Sequence, residues 1–375
     1  MAAHKTINVL YAISSLANEG PTRVLLNTIR NLDTRQFMPS IVTFTREKEN
    51  SLWSEFKKLD VAIVQLADET KKGKAGALRR VLALRELLQR GDFHIAHAHC
   101  PRSLFFLLAA NSSRVRTAYT IHGYPDVQFK VIHGPIKGRL ITAASNWALH
   151  RLNQPIACSD SVAAEYYDKR GLNIPAINNG IAPLDLSGFE DRGISLQHVG
   201  LSSGRRYLLF VGRLSAEKRI AELARTFAQI AEPPLDLVVV GAGPEDERLS
   251  AMKAPHIHLM GFQRDIRPFL AGCDYHVSPS ATEGLANSLL EAMSVGMPSL
   301  LSDIPSHRSV MQRCHGFIGK TFDPSSVQSL LSGIEYLQSK DSTNVREGIR
   351  RDFTNLFHAE VMSRGHEEMY RLMLA

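Results

Sequence analysis

Glu283 and Glu291 stand eight residues apart in the stretch Ser278-Pro-Ser-Ala-Thr-Glu-Gly-Leu-Ala-Asn-Ser-Leu-Leu-Glu-Ala-Met-Ser-Val-Gly-Met-Pro-Ser-Leu-Leu-Ser-Asp303. Small polar residues and Gly284 precede a helix-period run. That order predicts a helix N-terminus with outward-facing backbone N–H groups, a setting that favours an anion. Eight residues make slightly over two turns at about 3.6 per turn, so both carboxylates are expected on one side of that helix. Carboxylates beside an anion pocket accept hydroxyls more naturally than they meet phosphate. Phosphate donors next to hydroxyl acceptors suit a sugar nucleotide, although a bare pair at this spacing is also what a solvated helix face produces.

A second cluster of chemistry lies in Val211-Gly-Arg-Leu-Ser-Ala-Glu-Lys-Arg219. Gly212 ends a strand, and Arg213 and Lys218 are expected on either side of a helix start, where two flexible cations can converge on one diphosphate. Cations at a helix N-terminus are unfavourable for the helix itself. Local conflict of that kind marks functional sites.

Other candidates are spread along the chain. In Leu16-Ala-Asn-Glu-Gly-Pro-Thr-Arg23, Gly20 either lets the backbone approach a diphosphate or serves a helix start with Pro21 in its first turn. His122, in Thr120-Ile-His-Gly123, sits between a strand and a glycine turn, at the edge where doubly wound folds bind ligand. His97 and His99 lie at a strand end with no third ligand or nearby carboxylate, which favours a structural role over a metal site. Val238-Val-Val-Gly-Ala-Gly-Pro-Glu245 approaches a dinucleotide fingerprint but fails it, because Pro244 follows the second glycine and Asp246 takes the third glycine's place.

The elements that must position these residues alternate. Short apolar runs at 7–13, 40–44, 62–65, 95–97 and 117–120 read as buried strands separated by helices, and a second cycle runs through 207–213, 235–241, 257–260, 275–278 and 299–301. Strand–helix alternation of this kind argues for parallel sheets. Residues 184–205, with Gly188, Gly193, Gly200 and Gly204 and no sustained periodicity, read as a linker. The expected layout is an N-terminal domain at 1–183, a second domain at 206–355, and a terminal helix at about 356–375. Ligands of such sheets bind beyond the strand C-termini, so two facing sheets would form the site in the cleft between domains.

Composition bounds the function. At 375 residues with 44% hydrophobic and 22% charged, the chain is long enough for two globular domains, and neither disorder nor a fibrous repeat fits. Cys100, Cys158, Cys273 and Cys314 lack any Cys-x-x-Cys spacing, which points to a reducing cytoplasm. The longest apolar runs, such as 104–110 and 235–241, are too short to span a bilayer. A net charge of +7 invites an anionic partner. Lys71, Lys72, Lys74, Arg79, Arg80, Arg85 and Arg90 make the N-terminal half basic, as do Lys130, His133, Lys137, Arg139, His150 and Arg151 set among Phe129, Trp147 and apolar positions. If several share one face, at about 1 kcal/mol each they would hold the protein peripherally on an anionic membrane. The alternative is a set of solvated helix faces. Nucleic acid is set aside, since no recognised binding module or aromatic interleaving accompanies the cations.

The string Glu-Gly-Leu-Ala-Asn-Ser-Leu-Leu-Glu-Ala-Met-Ser-Val-Gly-Met-Pro resembles the signature of retaining glycosyltransferases of the GT-B fold, glycosyltransferase family 4, in which two glutamates are separated by seven residues. The resemblance spans nearly the whole chain, closely from Tyr207 to Asp303 and more loosely before it. It implies two facing Rossmann-like domains. Position by position, it implies that Arg213 and Lys218 neutralise the donor diphosphate together with N–H groups near Gly284, Leu285 and Ala286. Glu291 would accept the ribose hydroxyls and Glu283 the hydroxyls of the transferred sugar. Gly212, Gly241 and Gly243 match strand-end turns beside the nucleotide, and Phe262 closes the segment whose backbone usually faces the base. His122 corresponds to a histidine near donor sugar and acceptor, and of the family's Gly-Gly-x-x-Arg loop only Gly20 and Arg23 match. The family's Asn-Gly-Ile/Val-Asp turn appears as Asn179-Gly-Ile-Ala182, with alanine in place of aspartate.

The implied activity moves a sugar from a nucleotide-diphosphate sugar to a glycan or lipid-linked acceptor, as in bacterial surface polysaccharide synthesis, with no cofactor. No Asp-x-Asp pair occurs, so no metal is expected. Retention can use Glu283 as a covalent nucleophile or a short-lived oxocarbenium attacked on the leaving-group face, and the resemblance implies the second. Two alternatives stay open: a sugar-nucleotide epimerase of the same architecture, and a non-catalytic membrane or assembly protein.

Overall fold

The computed structural model describes residues 6–66, 73–110, 114–126, 129–130 and 134–375, with the side chain of Lys74 left out. Lys71, Lys72 and His133 lie outside the described residues. The chain divides into two units, one formed by 1–180 with 359–375 and the other by 181–358.

The first unit holds a six-stranded sheet with strands β1 (Ile7–Ile13), β2 (Phe37–Thr43), β3 (Ala62–Gln65), β4 (Ile95–Ala98), β5 (Arg116–Ile121) and β6 (Gln154–Ala157), in the order β3-β2-β1-β4-β5-β6. Every pairing is parallel. Alternate residues of one strand feed different cores: Leu10 and Ala12 join Leu84, Leu104 and Ala148, whereas Val9, Tyr11 and Ile13 join Leu25, Ile29 and Phe56. Burial on both faces is what makes these strands read as continuous apolar runs. The terminal helix Ala359–Leu374 belongs to this unit, where Ser363 Oγ donates to Thr28 O at 3.0 Å and Met362 packs with Val24.

The second unit repeats the plan with β7 (Tyr207–Val211), β8 (Asp236–Val240), β9 (Ile257–Gly261), β10 (Tyr275–Ser278), β11 (Ser299–Ser302) and β12 (Gly319–Phe322), ordered β12-β11-β10-β7-β8-β9 and again parallel. The edge strands β6 and β12 are additions to the sequence reading. Each has four residues, and Pro155 in one and Gly319-Lys320 in the other mask the apolar pattern. The stretch expected as a linker is instead part of the second unit. Asp191 caps the helix Arg192–His198 by accepting from the Ile194 N–H at 2.8 Å, and Leu196 is fully buried with Phe269 and Leu270. Ser195 and Leu196 are the buried residues of that helix, too few to register as periodicity.

Candidate functional site

In the second sheet the strand order reverses direction between β7 and β10, the switch point beyond whose C-terminal strand ends open sheets of this kind bind their ligands. The loop after β7 carries Gly212 and Arg213 and ends in the 3₁₀ turn Ala216–Lys218; the helix Ile220–Phe227 starts only after Arg219, whose φ of 52° is left-handed. Both cations therefore precede the helix, a correction to their expected placement astride its start. Arg213 is exposed, and among the described residues it has no hydrogen bond or ion pair.

Lys218 Nζ donates to Glu283 Oε1 at 2.5 Å, with about a quarter of the lysine side chain and a tenth of the glutamate exposed. Ser280 Oγ donates to the same oxygen at 2.7 Å, and Ala281 N–H to Glu217 O at 2.8 Å ties the two loops together. Burial pushes the Glu283 carboxyl up, but the Lys218 charge and the hydrogen bonds from Lys218 and Ser280 outweigh it, leaving it below the ordinary carboxylate value. Glu283 is held ionised.

Glu283 is not on a helix. The helix runs Asn287–Ser294, so Glu283 lies in the preceding loop and only Glu291 is helical. The shared-side argument from helical spacing therefore fails, and what gathers Glu283 to the site is the Lys218 contact. Glu291 is buried, as are Gly284, Leu285 and Ala286. Leu285 and Ala286 pack with Leu289, Ile349 and Phe353, which fixes the helix entry. Ala286 at the N-cap supplies no side-chain acceptor and no acid stands in the first turn, so the helix end keeps its affinity for an anion.

The glycines after β7 and β8 have a packing reason. A Cβ at Gly241 would lie 1.8 Å from Gly212 O, and one at Gly243 would lie 2.3 Å from Leu214 O. Only glycine lets the two loops touch along their backbones, joined by Gly212 N–H to Val240 O and Leu214 N–H to Ala242 O, both 3.0 Å. Phe262, after β9, is 53% exposed.

Gly20 and His122 belong to the first unit. Gly20 opens the helix Gly20–Arg30, where a Cβ in its place would meet nothing within 4 Å, and Asn18 Oδ1 accepts from Arg23 Nε at 2.7 Å beside it. His122 follows β5, its Nε2 3.3 Å from His99 Nδ1. Part of His122 stays exposed, yet desolvation of its ring, aided by His366, pushes its pKa well down. His97 bridges Tyr370 Oη at 2.7 Å and Thr120 Oγ1 at 2.8 Å, with both ring nitrogens satisfied. Its role is structural.

Sequence reasoning passed over Ser280, Ser302 and His307, which line the back of Glu283. Ser302 Oγ donates to Ser280 O at 2.5 Å and His307 Nδ1 lies 2.8 Å from Ser302 O. His307 is visible in the sequence soon after Asp303, but its partner is a backbone carbonyl, which carries no side-chain signal.

A family model described as Glycosyltransferase Family 4 matches residues 19–183, and one described as Glycosyl transferases group 1 matches 205–339. The chain is 25% identical over 264 residues to TuaC of Bacillus subtilis (strain 168), named for teichuronic acid biosynthesis, covering 69% of this chain and 64% of that protein. It is 24% identical over 282 residues, 68% of this chain and 69% of the relative, to the UDP-Gal:alpha-D-GlcNAc-diphosphoundecaprenol alpha-1,3-galactosyltransferase of Escherichia coli. Among solved structures, Anabaena Alr3699/HepE in complex with UDP and glucose superposes with a TM-score of 0.78 at 16% identity, over 97% of this chain and 99% of that one. With family models matching 19–183 and 205–339, the chain belongs to the family 4 glycosyltransferases, and the likeness to HepE along nearly its whole length shows the GT-B fold.

Proposed function

We propose that the chain is a retaining enzyme that transfers a sugar from a nucleotide-diphosphate sugar to a glycan or lipid-linked acceptor in bacterial surface polysaccharide synthesis, working at the cytoplasmic face of the membrane. The observation that carries the donor reading is the meeting of Lys218 with Glu283 at the strand-order reversal, beside exposed Arg213 and an uncapped helix end. Arg213, Lys218 and the N–H groups at 284–286 take the diphosphate, Glu291 the ribose and Glu283 the sugar hydroxyls. Gly212, Gly241, Gly243 and Phe262 frame the nucleotide. In the first unit, Gly20 and His122 are the proposed ligand contacts, and no metal is required.

Chemically, the bond from the anomeric carbon to the phosphate oxygen breaks first, leaving an oxocarbenium and a nucleoside diphosphate with one more negative charge. The acceptor oxygen bonds to the same face of that carbon, and its proton passes to a diphosphate oxygen. Interactions that strengthen as this charge grows lower the barrier. Glu283, already ionised and held by Lys218 and Ser280, is better placed as a hydroxyl acceptor than as a nucleophile.

For the acceptor side, support comes from the helix Pro135–Leu149 of the first unit. Ile136, Leu140 and Trp147 are 78%, 67% and 53% exposed at helical spacing, while Lys137, Arg139 and Arg151 are exposed around them. An apolar stripe rimmed by cations suits an anionic leaflet carrying a lipid-linked acceptor. Among the described residues no helix is long and apolar enough to cross a membrane.

Incubation with UDP-, GDP- and ADP-sugars, with and without a lipid-linked acceptor extract, tests the proposal. Acceptor-dependent release of nucleoside diphosphate with anomeric retention is expected. Epimerised donor without acceptor, or no turnover of any donor, would overturn it, as would a covalent adduct on Glu283 for the proposed route.

A further inference from the structure

Behind Glu283 runs a buried chain of hydrogen bonds that crosses from β11 to the acidic loop. Ser278, Ser280, Ser302 and His307 are each 3% exposed or less. A carbonyl oxygen only accepts, so the 2.8 Å contact to Ser302 O requires the proton on His307 Nδ1, and this fixes the tautomer. Ser302 Oγ–H then donates to Ser280 O at 2.5 Å, and Ser280 Oγ–H to Glu283 Oε1 at 2.7 Å. Every donor in the series points toward the carboxylate. The Nε2 atom of His307 has no hydrogen-bond partner among the described residues, so the only hydrogen bonds the ring makes there are those from Nδ1, the second being a longer 3.3 Å contact with Ser302 Oγ.

We propose that His307 is a positioning residue of the donor site, whose Nδ1–H, through Ser302 and Ser280, fixes where the Glu283 carboxylate meets the transferred sugar. The proposal rests on the donor reading above. Its logic is geometric: Glu283 is on a loop with no helical framework of its own, so its location is set by what grips residues 280–283. Lys218 grips it from the front and can be drawn away by a diphosphate. The buried serine–histidine series grips it from behind and cannot. Burial pushes the His307 ring below its ordinary pKa, against the opposing pull of the Ser302 carbonyl and the Glu283 charge and with the Lys218 charge, which favours the neutral ring beside the diphosphate site.

An amide at position 307 discriminates the working atom, because asparagine places an N–H where Nδ1–H lies and glutamine places one near Nε2. The variants His307→Asn, His307→Gln, His307→Ala and the milder Ser302→Ala are compared with wild type for turnover of whichever of UDP-glucose, UDP-galactose, GDP-mannose and ADP-glucose the wild type uses. Binding of the matching free nucleoside diphosphate is measured by calorimetry, and thermal midpoints are recorded alongside. His307→Ala and His307→Gln should lose about tenfold or more in kcat, His307→Asn should recover to within about threefold of wild type, and all should bind free diphosphate like wild type. Ser302→Ala should show a smaller loss of the same kind. Wild-type kcat in His307→Ala, equal loss in the asparagine and glutamine variants, or losses that follow the thermal midpoint would overturn the assignment. A wild type that binds no nucleoside diphosphate overturns the donor reading, and this inference with it.

Discussion

Lys218 Nζ and Glu283 Oε1 lie 2.5 Å apart, so the cation proposed for the diphosphate and the carboxylate proposed for the sugar hold each other. A diphosphate must therefore compete with Glu283 for Lys218. Glu283→Gln should tighten binding of free UDP, GDP or ADP by up to about fivefold, the range of a partly exposed ion pair, while sugar turnover falls. Titration calorimetry reads the first effect and donor turnover the second. Unchanged affinity would mean that the pair does not oppose the diphosphate.

Arg213 faces solvent without an ion-pair partner among the described residues, and Lys218 is partnered by Glu283. Each should donate to the departing diphosphate. Charge-assisted hydrogen bonds of about 1.5–3 kcal/mol predict that Arg213→Ala and Lys218→Ala each lower kcat about tenfold or more. Near-normal turnover in both would remove them from the machinery.

In the proposed donor site, two side-chain cations and a helix end take the place of a divalent ion. Among the described residues no group of three or more His, Cys, Asp and Glu is arranged to hold a metal. Turnover should survive dialysis against a chelator. Loss of activity, restored by added magnesium or manganese, would count against this donor site.

Gly241 and Gly20 make opposite predictions. A methyl at Gly241 meets the Gly212 carbonyl at 1.8 Å, and neither backbone can yield without breaking the paired loops. Gly241→Ala should cost about 3 kcal/mol or more of stability, seen as a lowered urea midpoint. Gly20→Ala meets nothing within 4 Å and should fold normally, so any change in its donor kinetics reports a ligand contact.

Buried histidines set an acid limit. Burial pushes His366 down to about 4 and His276 down to about 3, from an ordinary value of 6.5. The unfolded chain therefore binds more protons than the folded one below about pH 6.5, and stability that is full above that pH is lost as pH falls toward 4 and 3. Each such histidine contributes a slope of about 1.4 kcal/mol per pH unit. Between pH 7 and 5 wild type should lose about 2 kcal/mol more stability than His366→Gln in urea unfolding, the variant being flatter. Parallel slopes would refute it.

Much of this is legible in the amino-acid order. Strands buried on both faces announce themselves as apolar runs, and those from 7–13 to 299–301 are readable as such. The two that escape, β6 and β12, are edge strands, where four residues suffice and polar or proline positions are tolerated. The identities of Arg213, Lys218, Glu283 and Glu291 stand out by residue type. Their geometry does not. Glu283 reads as helical because spacing along a sequence cannot show that the helix begins only at Asn287, and Lys218 is 65 residues from the carboxylate it touches. His307 escapes for a different reason: its partner is a main-chain oxygen, common to every residue.

The terminal helix Ala359–Leu374 carries a consequence for how the protein is made. It supplies Tyr370, which engages His97 and Tyr11 in the first unit's sheet, and Ser363, which engages Thr28. During synthesis these residues emerge only after the whole of 181–358. The unit that begins first must finish second, holding an unpaired apolar face and a histidine with one of its two hydrogen bonds unmade until that helix emerges. Deleting 359–375 would therefore spare the later-made unit and cripple the earlier one.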